Sequence, residues 1–249
     1  MSRGESPWID AADIMLDDVK VVFDIGANTG QTAKQLSLSF PSAEIYCFEP
    51  VISTFESLKI EVAALERVKL FPFGFSEKTS SQTIFRQIDS RWNSLSKNED
   101  ANLGSMEVSL ETIDEFCAEN NIRQLDIIKT DTEGHDLSVL RGASKMLTEG
   151  NVSAIYIEVG FYREDAGHTE FCDVLKYLKA AGFQFFGLYD QDSIVFVAHP
   201  VQPRFPWSNA LFLRNDLVAQ KYEAQYARWL AGLIPPHHEN PRPVPETRL

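Results

Sequence analysis

The stretch Val21-Val-Phe-Asp-Ile-Gly-Ala-Asn-Thr-Gly30, running on into Gln31-Thr-Ala-Lys34, constrains the fold of this chain more than any other. Its apolar opening has the pattern of a parallel strand covered on both faces. Asp24 falls at the end of that apolar run, and Gly26 and Gly30 bracket a tight loop that opens a helix. Glycine lets backbone pass close to a ligand, and a helix start presents unpaired N–H groups. Strand, glycine turn and helix in that order form the first unit of an open α/β sheet with a ligand at the turn.

Two common ligands fit the turn badly. A dinucleotide loop requires G-x-G-x-x-G, whereas the spacing here is Gly26-x-x-x-Gly30. A Walker-type loop ends in Gly-Lys-Ser/Thr, whereas Gly30 is followed by Gln31-Thr32. A carboxylate at Asp24, on the lip of the loop, would repel a pyrophosphate and attract an ammonium and a sulfonium. S-adenosylmethionine (SAM) carries both and has no phosphate. Its one carboxylate suits the N–H groups around Asn28, Thr29 and Gly30. Asp24, Gly26, Asn28, Thr29 and Gly30 are therefore candidate cofactor contacts.

The chain has 249 residues, 44% of them hydrophobic, which is enough for one sizeable α/β core with additions. Its 23 basic and 36 acidic residues give a formal charge of −13, which argues against nucleic-acid or anionic-membrane partners. No stretch approaches the ~20 apolar residues of a membrane span, and no secretory leader is visible. Cys47, Cys117 and Cys172 lie in apolar contexts without metal-type spacing, so a soluble cytoplasmic protein with packed, reduced thiols is expected.

Residues 1–20 form a lead-in with a short helix around Trp8, Ile9, Ile14, Met15 and Leu16. After a helix from Gly30 to Leu38, a second strand runs from Ala43 and ends in Phe48-Glu49-Pro50. Glu49, 25 residues beyond Asp24, has the spacing of an acid that accepts ribose hydroxyls, with Pro50 beside it. Ser53 and Glu56 form a capping-box pattern for the next helix, and Val68 to Phe75 reads as a third strand. Gly74 and Phe75 are candidates for the adenine pocket, although Phe75 also suits a core. Residues 77–105 suggest a hairpin or lid, and Trp92 within them is either a loop anchor or a stacking surface. Met106–Leu110 reads as a strand and 111–120 as a helix.

The second informative stretch is Leu125-Asp-Ile-Ile-Lys-Thr-Asp-Thr-Glu-Gly-His-Asp136. A strand ends near Thr130, and a helix begins that carries Leu137, Leu140, Ser144 and Leu147 on one face. Gly142 interrupts that helix at a cost of roughly 1 kcal/mol relative to Ala, which a close contact with the sheet would explain. Ligands in open α/β sheets lie beyond the carboxyl ends of the strands, so Asp131, Glu133 and His135 are candidate catalytic bases. The same residues also read as caps: Asp131 as an N-cap, Glu133 and Asp136 at a positive helix end, and Lys129 paired with a neighbouring acid.

Val21–Gly30, Phe48-Glu49-Pro50 and especially Asp126-Ile-Ile-Lys-Thr-Asp-Thr-Glu-Gly-His-Asp136, followed by Val139-Leu-Arg-Gly-Ala143, resemble the FkbM family of SAM-dependent methyltransferases. The resemblance implies a Rossmann-like class I methyltransferase, an α/β fold with a seven-stranded, mostly parallel sheet whose final strand is reversed. It also implies methyl transfer to a hydroxyl of a sugar, glycolipid or secondary metabolite. Related sugar methyltransferases hold Mg²⁺ with acids after the fourth and fifth strands, which here correspond to Asp131 and Glu158, with His135 in the place of the base. At positions 135 and 136 the family more often has Ala and Glu.

Val152–Gly160 reads as a fifth strand, with Glu158 near its end on the same rim as Asp131. His168 is either a substrate contact or a solvated loop residue, and a helix from Thr169 to Ala181 stops at Gly182. Phe183–Leu188, Ser193–Ala198 and Ala210–Arg214 read as terminal strands, with a stiff connection through Trp207. The methyltransferase domain thus spans 21–214, a helix 215–234 carries Leu217, Tyr222, Tyr226 and Trp229 as anchors, and the Pro-rich tail 235–249 is expected to be disordered. The expected partner is a small-molecule or glycan acceptor, with self-association left open. A nucleotide-linked oxidoreductase and a non-catalytic SAM-binding or assembly protein are the alternatives.

Overall fold

A computed structural model describes residues 4, 6–15, 18–85, 105–162, 167–190 and 207–230. The expectations for Leu16, Trp92, Ser193–Ala198 and the tail lie outside these residues, as do the side chains of Tyr226 and Trp229.

The apolar runs build the main sheet. It consists of β1 (Val21–Ile25), β2 (Glu44–Phe48), β3 (Val68–Phe71), β7 (Leu125–Thr130), β8 (Val152–Gly160), β9 (Phe183–Tyr189) and β10 (Trp207–Arg214), in the order β3-β2-β1-β7-β8-β10-β9. β1, β2, β3, β7 and β8 pair in parallel, and β10 runs antiparallel to both β8 and β9. This is the Rossmann-like, seven-stranded, mostly parallel sheet that the sequence led us to expect.

Successive strand residues face opposite sides, so each strand feeds two cores. On one side, Phe23, Ile128, Ile155 and Phe212 pack with α4 (Ile113–Glu119), α5 (Asp136–Arg141), α6 (Ser144–Thr148) and α7 (Phe171–Ala180). On the other, Val22, Ile127, Ala154 and Leu211 pack with α1 (Pro7–Ile14), α2 (Gln31–Ser39), α3 (Ile52–Glu61) and α8 (Asn215–Leu230). Helix α1 covers the sheet through Trp8, whose ring lies 4.8 Å from that of Tyr156.

Several expectations change. The strand expected over 68–75 is two. Pro72, which has no N–H to give a ladder, follows β3, and β4 (Gly74–Phe75) joins a separate three-stranded sheet with β6 (Ser105–Glu111) and β5 (Ser80–Phe85). Of the hairpin or lid expected over 77–105, β5 is described and pairs antiparallel with β6, the strand expected over Met106–Leu110, while residues 86–104 lie outside the described residues. The helix after β7 is also two, α5 and α6, and Ser144 is exposed. Gly142 lies between them because a Cβ there would stand 2.1 Å from the Ser76 carbonyl oxygen, the close contact expected from its sequence position.

Helix α3 starts at Ile52 with Val51 as its cap, so Ser53 and Glu56 form no capping box. Instead, the Glu49 carboxylate accepts the Val51 N–H at 2.9 Å. Trp207 begins β10 and is not part of a connection, Ile9 and Tyr222 are exposed, and Cys172 is exposed while Cys47 and Cys117 are buried.

Candidate active site

Because β1, β2, β7 and β8 are parallel, their C-terminal ends share one edge, and the residues following them form a continuous rim. The Gly26–Gly30 turn opens that rim. The Gly26 and Ala27 N–H groups both donate to the Phe48 carbonyl, at 3.0 and 3.1 Å, which ties the turn to the end of β2. Gly26, Asn28 and Gly30 have φ of 73°, 47° and 89°. Both glycines answer to protein neighbours first. A Cβ on Gly26 would lie 1.9 Å from the Asp131 carbonyl oxygen, and one on Gly30 would lie 2.6 Å from Val62 Cγ1. No side chain caps the start of α2, which follows directly on the turn, so its first N–H groups have no side-chain acceptor there.

Asp24 does not stand on the lip of the loop. It is fully buried, with Lys129 Nζ 3.2 Å from Oδ1, and neither carboxylate oxygen completes a hydrogen bond of good geometry. Burial raises its pKa above the ordinary value, and Lys129 offsets only part of that. For Lys129 the balance reverses: burial opposes its charge, but Asp24 and Asp131 outweigh burial and hold its pKa above the usual lysine value. The negative group nearest the turn that reaches solvent is Asp131, 37% exposed and 3.7 Å from Lys129 Nζ.

Glu49 lies at the end of β2, as expected. It is nearly buried, with one oxygen accepting the Asn28 N–H at 3.1 Å and the other that of Val51. Burial pushes its pKa up to about 7 against the pull of those two bonds. Pro50 packs beside Gly74. Phe75 is 1% exposed, with its ring stacked on Phe23 and edge-on to Phe48, Phe73 and Phe116, so its side chain belongs to the core and not to an open pocket wall.

The expected grouping of Asp131, His135 and Glu158 is only partly assembled. His135 precedes α5 with Nε2 3.0 Å from Ser76 Oγ, and burial lowers its pKa while Glu77 opposes that. Asp131 begins no helix, so its N-cap role falls away. Asp136 is fully buried, accepting from Thr130 Oγ1 at 2.7 Å and the Thr132 N–H at 3.0 Å. Glu158 faces His168 instead, with Oε2 3.7 Å from Nε2, and the His168 ring stacks on Trp207 at 5.9 Å and 10°. Burial first, then Asp131, Glu133 and Asp136, push the Glu158 pKa well above the usual carboxylate range. Glu133 follows in the same loop, at φ 53°.

Of the two acids expected to hold Mg²⁺, Glu158 is turned to His168 with its charged form disfavoured and Asp131 is turned to Lys129, so the pair is not arranged as a Mg²⁺ site. Among the described residues, no group of three or more His, Cys, Asp or Glu side chains is arranged to hold a metal ion.

Lys129 pairs with neighbouring acids, as expected: with Asp24, its register partner in β1, and with Asp131. Two contacts left no signal in the sequence: Ser76 as the partner of His135, and Trp207 as the partner of His168.

The family model for the methyltransferase FkbM domain matches residues 24–185, which hold the turn, Glu49, Lys129, Asp131 and Glu158. The chain belongs to the FkbM methyltransferase family. Among curated relatives, this family member is 24% identical over 144 residues to 2-O-methyltransferase NoeI of Sinorhizobium fredii, covering 52% of this chain and 59% of that protein. It is 27% identical over 167 residues to hexuronic acid methyltransferase AglP of Haloferax volcanii, covering 66% of each. The FkbM chain thus spans three-fifths to two-thirds of the length of these relatives. Among solved structures, an rRNA methylase from Streptococcus thermophilus aligns with TM-score 0.46 at 14% identity, over 86% of this chain and 98% of that one. A SAM-dependent methyltransferase from Aquifex aeolicus aligns with TM-score 0.44 at 13% identity, over 84% and 89%.

Proposed function

We propose that this chain is a SAM-dependent O-methyltransferase acting on a hydroxyl of a sugar, glycolipid or secondary metabolite. The observation that carries the proposal is the division of the rim. A backbone-lined turn, an uncapped helix start and Glu49 lie on one side, and carboxylates with a histidine lie on the other. The first half suits the amino-acid and ribose ends of SAM, with its carboxylate at the start of α2 and its diol at Glu49. Asp131 then supplies negative charge beside the sulfonium. The curated relatives named as a 2-O-methyltransferase and a hexuronic acid methyltransferase support an acceptor of the carbohydrate kind.

SAM supplies an electrophilic methyl carbon and a neutral thioether leaving group. The acceptor oxygen forms the new C–O bond as the C–S bond breaks, and its proton must leave. His168 is the candidate for that proton, oriented by Glu158 and by its stack on Trp207. His135, the other candidate base, is bound through Nε2 to Ser76 and is given a structural role in this reading. Isothermal calorimetry with SAM and with its demethylated product SAH tests the cofactor half, and both are expected to bind. Absence of heat with either at millimolar concentration rejects the proposal. NAD binding in their place would favour the oxidoreductase alternative.

A further inference from the structure

Lys129 sits where a lysine is expensive. It is 5% exposed in β7, next to Ile127 and Ile128, and buried lysines survive only when paired. Its ammonium has three donors, and three oxygens lie around it: the Gly26 carbonyl at 3.1 Å, Asp24 Oδ1 at 3.2 Å and Asp131 Oδ2 at 3.7 Å.

Neutralising Asp24 alone would not justify this arrangement, because an apolar pair of similar volume serves as well in a core. The bond to Gly26 does something an apolar pair cannot. The peptide unit joining Gly26 to Ala27 is gripped at both ends, its carbonyl by Lys129 and its N–H by the Phe48 carbonyl. That unit begins the turn, and its plane sets where the following amides and the uncapped start of α2 point. Lys129 also draws Asp131 toward the turn from the neighbouring strand end.

We infer that Lys129 is a positioning residue for the cofactor, fixing the Gly26–Ala27 peptide and the Asp131 carboxylate in the arrangement that binds SAM. The inference rests on the SAM-binding role proposed above.

Lys129→Met alone leaves Asp24 buried and unpaired, so a folding defect would mask the effect. The decisive variant is Asp24→Asn/Lys129→Met, which removes both charges, with Asp24→Asn alone as its companion. Thermal unfolding and calorimetry with SAM and SAH are the measurements. The double variant is expected to unfold within about 5 °C of the parent while binding both ligands at least about tenfold more weakly. Asp24→Asn, which keeps the Lys129–Gly26 bond, is expected to bind within about threefold of the parent. Parental affinity in the double variant overturns the inference, because Lys129 would then only balance Asp24, and the proposed function would stand. So does an equal loss in Asp24→Asn. A parent protein that binds neither ligand overturns both proposals.

Discussion

Along the rim, the half formed by β1, β2 and β7 presents backbone groups, whereas the half formed by β8, β9 and β10 presents side chains. In the first, the Gly26 and Ala27 N–H groups, the Gly26 carbonyl and the Asn28 N–H are all committed to partners in the protein. In the second, His168 is held by its 3.7 Å contact with Glu158 and by a ring stack on Trp207, both of which a single substitution removes. A cradle of backbone groups tolerates most neighbouring substitutions, and depends here on the two side chains that hold it, Lys129 and Glu49. A side-chain rim changes with each substitution and so suits the partner that differs between relatives.

The largest expected effect tests the rigid half. Gly26→Ala places a Cβ 1.9 Å from the Asp131 carbonyl oxygen at a φ of 73°, and both neighbours are backbone. The variant is expected to lose about 3 kcal/mol of stability or more, with SAM affinity falling beyond detection. Thermal unfolding and calorimetry check this. Near-parental binding would show that the turn yields, and the contrast between the halves would disappear.

A smaller and more selective effect is expected on the other side. His168→Asn keeps a polar group in the loop but removes the proton acceptor, so turnover should fall about a hundredfold with SAM affinity nearly unchanged. His135→Ala should leave turnover within about threefold, because its ring serves Ser76. Steady-state kinetics on both variants sharpen the comparison, and a reversed order would return the base role to His135.

Legibility in the sequence followed the same division. β1, β7 and β8 were readable to within a residue because strands buried on both faces carry long apolar runs, and the acids at the ends of β7 and β8 placed Asp131 and Glu158 on one rim. The sequence did not convey depth. Asp24 is an acid near a strand end, but whether it meets solvent or a lysine depends on the register between β1 and β7. Nor did it convey direction: His135 lies four residues from Asp131 and turns to Ser76, while His168, far along the chain, turns to Glu158. The separate sheet of β4, β5 and β6 was hidden because Pro72 interrupts what otherwise looks like one strand.

A graded, pH-dependent effect is expected where the cofactor half does depend on a side chain. Glu49 has its pKa raised to about 7, so folding favours its protonated form. Its stabilising contribution is complete below the ordinary value of 4.5 and is lost as pH rises through about 7. Ribose hydroxyls donate best to the ionised carboxylate, whose two oxygens already serve Asn28 and Val51. SAM affinity should therefore rise about tenfold between pH 6 and pH 8 while the unliganded protein becomes slightly less stable. Lys129 lowers the Glu49 pKa and Asp24 raises it, but both are weaker influences than burial, so the midpoint should stay with Glu49. Glu49→Gln should flatten the affinity profile at a low, constant value. A profile that keeps its slope in that variant would assign the titration to another group and leave the ribose contact to backbone alone, making this half of the rim more uniform than it now looks.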